Sequence, residues 1–343
     1  MKQPRRSFIR LGALALVATP FLSVAGSKEK TAPLALLKPP ALKPGDTIAI
    51  TSPAGAVWDS HQVDLFASIL QNLGFKIKRG QTLTEHYGYF AGTDELRAKE
   101  LNGFFIDPEV KAIFCMKGGW GCARLLTMID YAGIAAHPKI LMGFSDITSL
   151  LIAIQVKCGL VTFHGPVGNS GWNDFTVDYF KRVLMNAESV TYLPTAKPED
   201  NPLTLYSGKA RGILMGGNLS VLTGMMGSDY LPQWKDKILF LEDTGEEPYR
   251  LDRMFTQLKL CGVLQSISGF VFGKCVKCTA EEPDKAFTFQ QMLDQNIKPL
   301  GIPVFSGAMI GHIENKFTLP LGVEAEIDAD KGTIRLLEAS VTM

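Results

Sequence analysis

Apolar and polar positions trade places along the chain in a repeating order. Thr47-Ile48-Ala49-Ile50-Thr51-Ser52 is a β-prone run ended by Pro53-Ala54-Gly55, which predicts a first strand and a turn. Val63, Phe66, Ile69, Leu70 and Leu73 then recur at helical spacing up to a stop at Gly74. Residues 75–78 read as strand, and Thr93 caps a helix running to about Phe105. A strand over 112–116, a helix over 124–129, a strand over 139–142, a helix over 146–156 and a strand over 161–163 continue the series. Strands that alternate with helices need crossover connections, so residues 45–167 are expected to form an α/β domain with a mostly parallel sheet.

The pattern weakens over residues 168–204, which are rich in Asn, Asp, Pro and Lys and read as an inter-domain connection. Periodicity returns with strands over 210–214, 237–241 and 269–272, separated by helices over 218–226, 249–260 and 289–297. Short strands over 323–327 and 333–337 close the chain, and residues 205–343 are expected to form a mixed, β-rich second domain.

Composition narrows the function. Of 343 residues, 46% are hydrophobic and 20% charged, enough apolar material for one large or two moderate domains. Lys+Arg number 35 against 34 Asp+Glu, so no bulk positive field draws the chain to nucleic acid. A small molecule or peptide is the expected partner. Residues 1–27 differ in character: Arg5-Arg6-Ser7-Phe8-Ile9-Arg10 precedes an apolar run over 11–24, with small residues around Ala25. This reads as a twin-arginine export signal, with a Pro-rich linker over 28–44 and a periplasmic destination. The alternative is an uncleaved anchor; contact with a membrane is expected only through this segment. The cysteines lie mostly in apolar runs and read as buried thiols, and Cys275-Val276-Lys277-Cys278 as structural, since no second pair or nearby His completes a metal set.

The most informative local feature is Met142-Gly143-Phe144-Ser145-Asp146-Ile147-Thr148, where an apolar strand runs into a serine and a helix begins at once. Such a turn puts Ser145 at the carboxyl end of a parallel strand, with the Asp146 amide and the helix N-terminus available to a developing oxyanion. Ile147 replaces the second Gly of Gly-x-Ser-x-Gly, so the pattern is not that of an α/β-hydrolase. Lys117-Gly118-Gly119-Trp120-Gly121 follows another strand and could supply a second amide donor near Gly119. A serine nucleophile needs a base. Of five histidines, His61, His86 and His137 lie in polar settings, while His164 and His312 follow strands and stand as rivals, with a slight edge to His312. The acid that orients the base is expected at the end of a strand, in Leu241-Glu242-Asp243, as either Glu242 or Asp243.

Taken together, Gly45-Asp46-Thr47-Ile48-Ala49, Phe90-Ala91-Gly92-Thr93-Asp94, Gly118-Gly119-Trp120-Gly121, Gly143-Phe144-Ser145-Asp146-Ile147-Thr148, Phe163-His164-Gly165-Pro166, Gly216-Gly217-Asn218-Leu219, Leu241-Glu242-Asp243, Tyr249-Arg250-Leu251-Asp252-Arg253 and Gly311-His312 resemble the LD-carboxypeptidase family of serine peptidases. That family also contains the immunity peptidases that degrade microcin C. The resemblance implies a flavodoxin-like half carrying Ser145 and a β-rich half carrying Glu242 and His312, the three forming a triad, with no metal or organic cofactor and a homodimer. Gly119 and Asp146 become the expected oxyanion donors, and Trp120, Arg124 and Asn218 the expected substrate contacts. Lys117 stands where the family commonly has Arg, and Trp120 where it has Tyr. The implied substrate is a peptidoglycan-derived tetrapeptide ending in D-alanine. A peptidyl-nucleotide amide is the alternative within the same chemistry, and a muropeptide-binding protein with a dead site the alternative outside it.

Overall fold

The computed structural model describes residues 35–343; the export signal read over 1–27 and the start of the linker lie outside them. The first half builds a sheet from β1 (Thr47–Thr51), β2 (Lys76–Arg79), β3 (Val110–Cys115), β4 (Ile140–Gly143) and β5 (Thr162–His164), all parallel. Four helices make the crossovers: α1 (Ser60–Asn72), α2 (Asp94–Ile106), α3 (Tyr131–Ala136) and α4 (Thr148–Cys158). The strand order β2-β1-β3-β4-β5 is the doubly wound, flavodoxin-like order, so the strand ends point toward a shared crevice. Helix α2 begins where expected, the Thr93 side chain accepting from Leu96 N. The helix expected over 124–129 is instead a single 3-10 turn, Cys122–Leu125. Asp130 then accepts from Gly133 N at 2.9 Å, which caps α3 and starts a new helix.

The segment read as a connection is more ordered than its composition suggested. It holds α5 (Asp174–Leu184), capped by Asn173, with Thr176, Tyr179, Phe180, Val183 and Leu184 buried at helical spacing. Phe180 packs edge-on to Phe75 and Phe114, which fastens α5 to the first sheet. After α5 come β6 (Thr191–Tyr192), β7 (Leu203–Tyr206), β8 (Lys209–Asn218), α6 (Leu219–Gly224), β9 (Lys237–Thr244), α7 (Pro248–Leu260), β10 (Gly269–Val276), α8 (Phe289–Asn296) and β11 (Val304–Ser306). The chain ends with β12 (Leu319–Leu321), β13 (Glu324–Asp328) and β14 (Thr333–Leu336). Eight of these strands form a mixed sheet in the order β6-β14-β13-β8-β9-β10-β11-β7, parallel from β8 through β11 and antiparallel elsewhere. Strand β12 crosses to the first sheet and pairs antiparallel with β5 as its edge. Pro320 is tolerated there because an edge strand has one side free of ladder bonds.

Helix α4 touches β4, β5 and β12 of the first sheet and β8 of the second. Its residues Thr148 to Ile154 are accordingly all buried, the pattern of a helix covered on every side. The cysteine reading needs one correction: Cys275 and Cys278 are joined by a disulfide, with their Cα atoms 5.6 Å apart, and Cys261 is exposed. Cys115, Cys122 and Cys158 are buried thiols as expected. No helix among the described residues is long and apolar enough to cross a membrane.

Candidate functional site

Strand β4 ends at Gly143, and the chain turns so sharply that Ser145 takes φ 62°, a left-handed conformation costly for a residue with a side chain. A 3-10 turn, Ser145–Ile147, leads directly into α4. The strain, about 1–3 kcal/mol for such a residue, is held by the buried helix on one side and by Gly118 on the other. A Cβ placed on Gly118 would lie 2.8 Å from Ser145 Cβ and 2.9 Å from its Oγ, so only glycine lets the two loops meet. The Asp146 carboxyl turns inward and accepts from Cys122 N at 2.8 Å; burial raises its pKa.

On the second sheet, β9 does not stop at the acids but runs through them to Thr244, carrying Glu242 and Asp243 into the interior. Glu242 Oε2 accepts from His312 Nδ1 at 2.8 Å, and Glu242 Oε1 from Asn218 Nδ2 at 3.2 Å. Gly311 has φ 119°, and a Cβ there would sit 2.9 Å from Glu242 Oε2, so the glycine is what lets His312 approach the carboxylate. The Phe144 ring lies 4.8 Å from the His312 ring, centre to centre, and Phe144 directly precedes Ser145. The serine turn and the His–Glu pair therefore share one neighbourhood.

Of the two rival histidines, His312 is the one on a carboxylate. His164 is buried between Phe144 and Phe240 with its Nδ1 unpartnered, and burial pushes its pKa down to about 4. Of the two acids, Glu242 meets the histidine. Asp243 takes Ser220 N at 2.9 Å and Asn218 Nδ2 at 3.2 Å, and burial raises its pKa to about 6.

The expected substrate contacts fare differently. Trp120 is 69% exposed on the loop after β3 and packs against Tyr89. Arg124 is exposed, but its guanidinium is already committed to Asp94, Nε donating at 2.8 Å and 3.1 Å to the two carboxylate oxygens. Asn218 is buried and its amide is fully used: Nδ2 donates to Glu242 and Asp243, while Oδ1 accepts from Val221 N and Ser220 Oγ. It orients Glu242 rather than facing a ligand. Gly119 has φ 128° and packs on Gly55, so Gly118 is the glycine in contact with Ser145. Arg97, passed over in the sequence, is fully buried and binds the carbonyls of Pro53 and Gly121 as well as Asp94. Its place on the buried face of α2, in step with Leu101 and Phe104, was the available signal.

Family models match both halves of the chain. An LD-carboxypeptidase N-terminal domain matches residues 48–165 and an LD-carboxypeptidase C-terminal domain matches residues 211–327. The chain belongs to the LD-carboxypeptidase family. It is a peptide hydrolase of that family, 38% identical over 311 residues to the probable murein peptide carboxypeptidase of Bacillus subtilis, covering 89% of this chain and 95% of the relative. It is 32% identical to the microcin C7 self-immunity protein MccF of Escherichia coli, over 86% of this chain and 94% of the relative. A solved structure of MccF in complex with glutamyl sulfamoyl guanosine aligns with a TM-score of 0.82 at 30% identity, over 89% of this chain and 100% of the other. The muramoyltetrapeptide carboxypeptidase of Oxalobacter formigenes aligns with a TM-score of 0.73 at 30% identity, over 84% and 97%. Among the described residues, no group of three or more His, Cys, Asp or Glu could hold a metal ion.

Two measurements test how this family member supports its site. Arg97→Met leaves two loop carbonyls without their donor and Asp94 with Arg124 alone, and should cost roughly 1–3 kcal/mol in denaturant unfolding, whereas Arg124→Met should cost clearly less because that arginine is exposed. Equal losses would show that Arg97 does not tie the loops. His164 is protonated in the unfolded chain below about pH 6.5 but in the fold only below about 4. Stability should therefore fall as pH drops through that window, by up to about 1.4 kcal/mol per unit. In His164→Leu the slope should be shallower; an unchanged slope would assign the acid sensitivity to other groups.

Proposed function

We propose that the protein is a serine LD-carboxypeptidase that releases the terminal D-alanine of murein tetrapeptides through Ser145, His312 and Glu242. The observation that carries this reading is the 2.8 Å hydrogen bond between buried Glu242 and partly exposed His312, near a serine held at φ 62° on a strand-to-helix turn. With Nδ1 bound to Glu242, Nε2 is the imidazole nitrogen left to take a proton, and the carboxylate stabilises the cation that forms. Ser145 Oγ attacks the carbonyl carbon of the residue joined to D-alanine as His312 removes its proton. The oxyanion rests on the amides of Asp146 and Gly119. The C–N bond breaks, His312 returns the proton to the departing amine, and the acyl-enzyme is cleared by water using the same base. The names borne by the Bacillus subtilis and Oxalobacter formigenes relatives support the peptide substrate. The likeness to MccF bound to glutamyl sulfamoyl guanosine supports a second substrate, an aminoacyl-nucleotide, for the same residues.

Incubation of the protein with disaccharide tetrapeptide should release D-alanine, and Ser145→Ala and Glu242→Gln should each lower the rate by about 10⁴. Release that survives Ser145→Ala would sink the mechanism. Cleavage of an aminoacyl-nucleotide with no release from tetrapeptide would select the second substrate.

Export to the periplasm is proposed on the leader pattern over residues 1–27, and the Cys275–Cys278 disulfide suits an oxidising compartment. Replacing Arg5 and Arg6 by Lys should leave the full chain in the cytoplasm on fractionation; an unchanged distribution would refute a twin-arginine route.

A further inference from the structure

With Arg124 bound to Asp94 and Asn218 bound to Glu242, the group that receives the substrate's free carboxylate has no occupant among the residues first expected to supply it. Three cationic side chains are buried among the described residues: Arg97, Lys139 and Lys316. Arg97 has Asp94 and two carbonyls. Lys139 donates to the carbonyls of Phe104 and Asp107. Lys316, only 5% exposed, has one neutral side-chain partner, the Ser170 hydroxyl at 3.2 Å, and the face of Phe144, whose ring centre is 4.6 Å from Nζ.

An ammonium carries three donors, and a buried one is costly unless an anion or several acceptors surround it. Lys316 is thus the buried cation whose shell is incomplete. Burial pushes its pKa down to about 8, with Glu242 drawing it upward. Glu242 forms no ion pair with Lys316, its carboxylate being held by Asn218 and His312, and acts on the lysine only through space.

The position of this cation relates it to the serine. Lys316 lies four residues beyond His312 on one loop, and the Phe144 ring that it covers also touches His312 and immediately precedes Ser145. The loop is fixed by Lys316 N donating to Thr176 Oγ1 at 3.2 Å and by Asn173 Nδ2 donating to Asn315 Oδ1 at 2.7 Å. Ser170 is half-buried, so a carboxylate that displaces its hydroxyl can reach Nζ from the solvent side.

We infer that Lys316 is the specificity-determining cation that binds the free carboxylate of the residue released at Ser145, confining cleavage to the chain terminus. The inference rests on the carboxypeptidase reading above. An incoming carboxylate completes the ammonium's shell, adds an ionic partner to a neutral hydrogen bond, and favours the lysine's charged form.

The test compares two substrates, a murein tetrapeptide and its C-terminal carboxamide. The wild-type protein should prefer the acid by roughly 10- to 100-fold in kcat/KM, mainly through KM. Lys316→Met should bring that ratio close to one, and Lys316→Arg should keep part of it. Near-UV circular dichroism and labelling of Ser145 by an uncharged fluorophosphonate verify that each variant is folded. A wild-type ratio near one, or a Lys316→Met variant that keeps the full preference, would overturn the assignment. If the wild type cleaves neither peptide, the carboxypeptidase reading fails, and calorimetry reads the lysine separately. Ser145→Ala should bind the acid more tightly than the amide, and Ser145→Ala/Lys316→Met should bind both alike. Equal binding by Ser145→Ala, or a preference that persists in the double variant, overturns the inference. Should Lys316→Met not fold, Lys316→Gln carries the same comparison.

Discussion

A carboxylate with no solvent exposure, Glu242, is the constraint on which the second half of the molecule depends. Left unpaired, such a charge would cost several kcal/mol, so its partners have to arrive with correct geometry. Asn218 supplies one hydrogen bond and His312 the other. Asn218 is in turn held by its own backbone amide donating to Thr148 Oγ1 at 3.0 Å, and its side chain caps α6. One carboxyl group thereby fixes β8 beside β9, α4 beside β8, and the late loop beside both. Neighbouring Asp243 shares the Asn218 amide, and burial raises its pKa to about 6.

The strain at Ser145 is affordable for the same reason. Helix α4 is packed between the two sheets and cannot relax the turn by shifting. On the other side, the loops after β1 and β3 are tied together: Gly55 N donates to Gly118 O at 3.3 Å, and the Arg97 guanidinium binds Pro53 O and Gly121 O. These loops stand at the point where the strand order reverses, the natural crevice of a doubly wound sheet. Trp58 and Trp120 are exposed on these loops, and exposed Tyr89, on the connection from β2 to α2, packs against Trp120.

Much of the first sheet was legible because its strands are short apolar runs and its helices are separated by Gly and capping residues, as at Gly74 and Thr93. Helix α5 was missed although its buried positions follow helical spacing, because Asn, Asp and Pro around it imitate a linker. Strand β12 could not be assigned to the first sheet, since nothing local tells a three-residue strand containing Pro320 which sheet to join. Ser145 could be read from its strand-turn-helix setting. That residues 97 and 167 positions away lie near its turn could not, because proximity across that separation is a property of the fold, and only resemblance to the family suggested it. Arg124 and Asn218 were named for what their side chains could bind; the structure shows them already occupied. The Cys275–Cys278 bond likewise depends on a Cα approach of 5.6 Å that spacing alone does not decide.

The departure from Gly-x-Ser-x-Gly has a physical reading. In that pattern the serine sits on a sharp, strained strand-to-helix turn, and a second glycine stands two residues after it. Here Ile147 occupies that place, and clearance comes from the other end: a Cβ on Gly143 would lie 2.9 Å from Ile147 Cγ2, so Gly143 makes the room that Ile147 fills. Ile147 is fully buried and joins the core under α4, so the turn that exposes Ser145 also contributes packing to the helix that holds it. Gly118 then provides the second clearance, from the loop after β3 rather than from the turn itself. Two glycines, one ending β4 and one in the loop after β3, thus give clearance around the serine turn, and a motif search restricted to five residues passes over this serine.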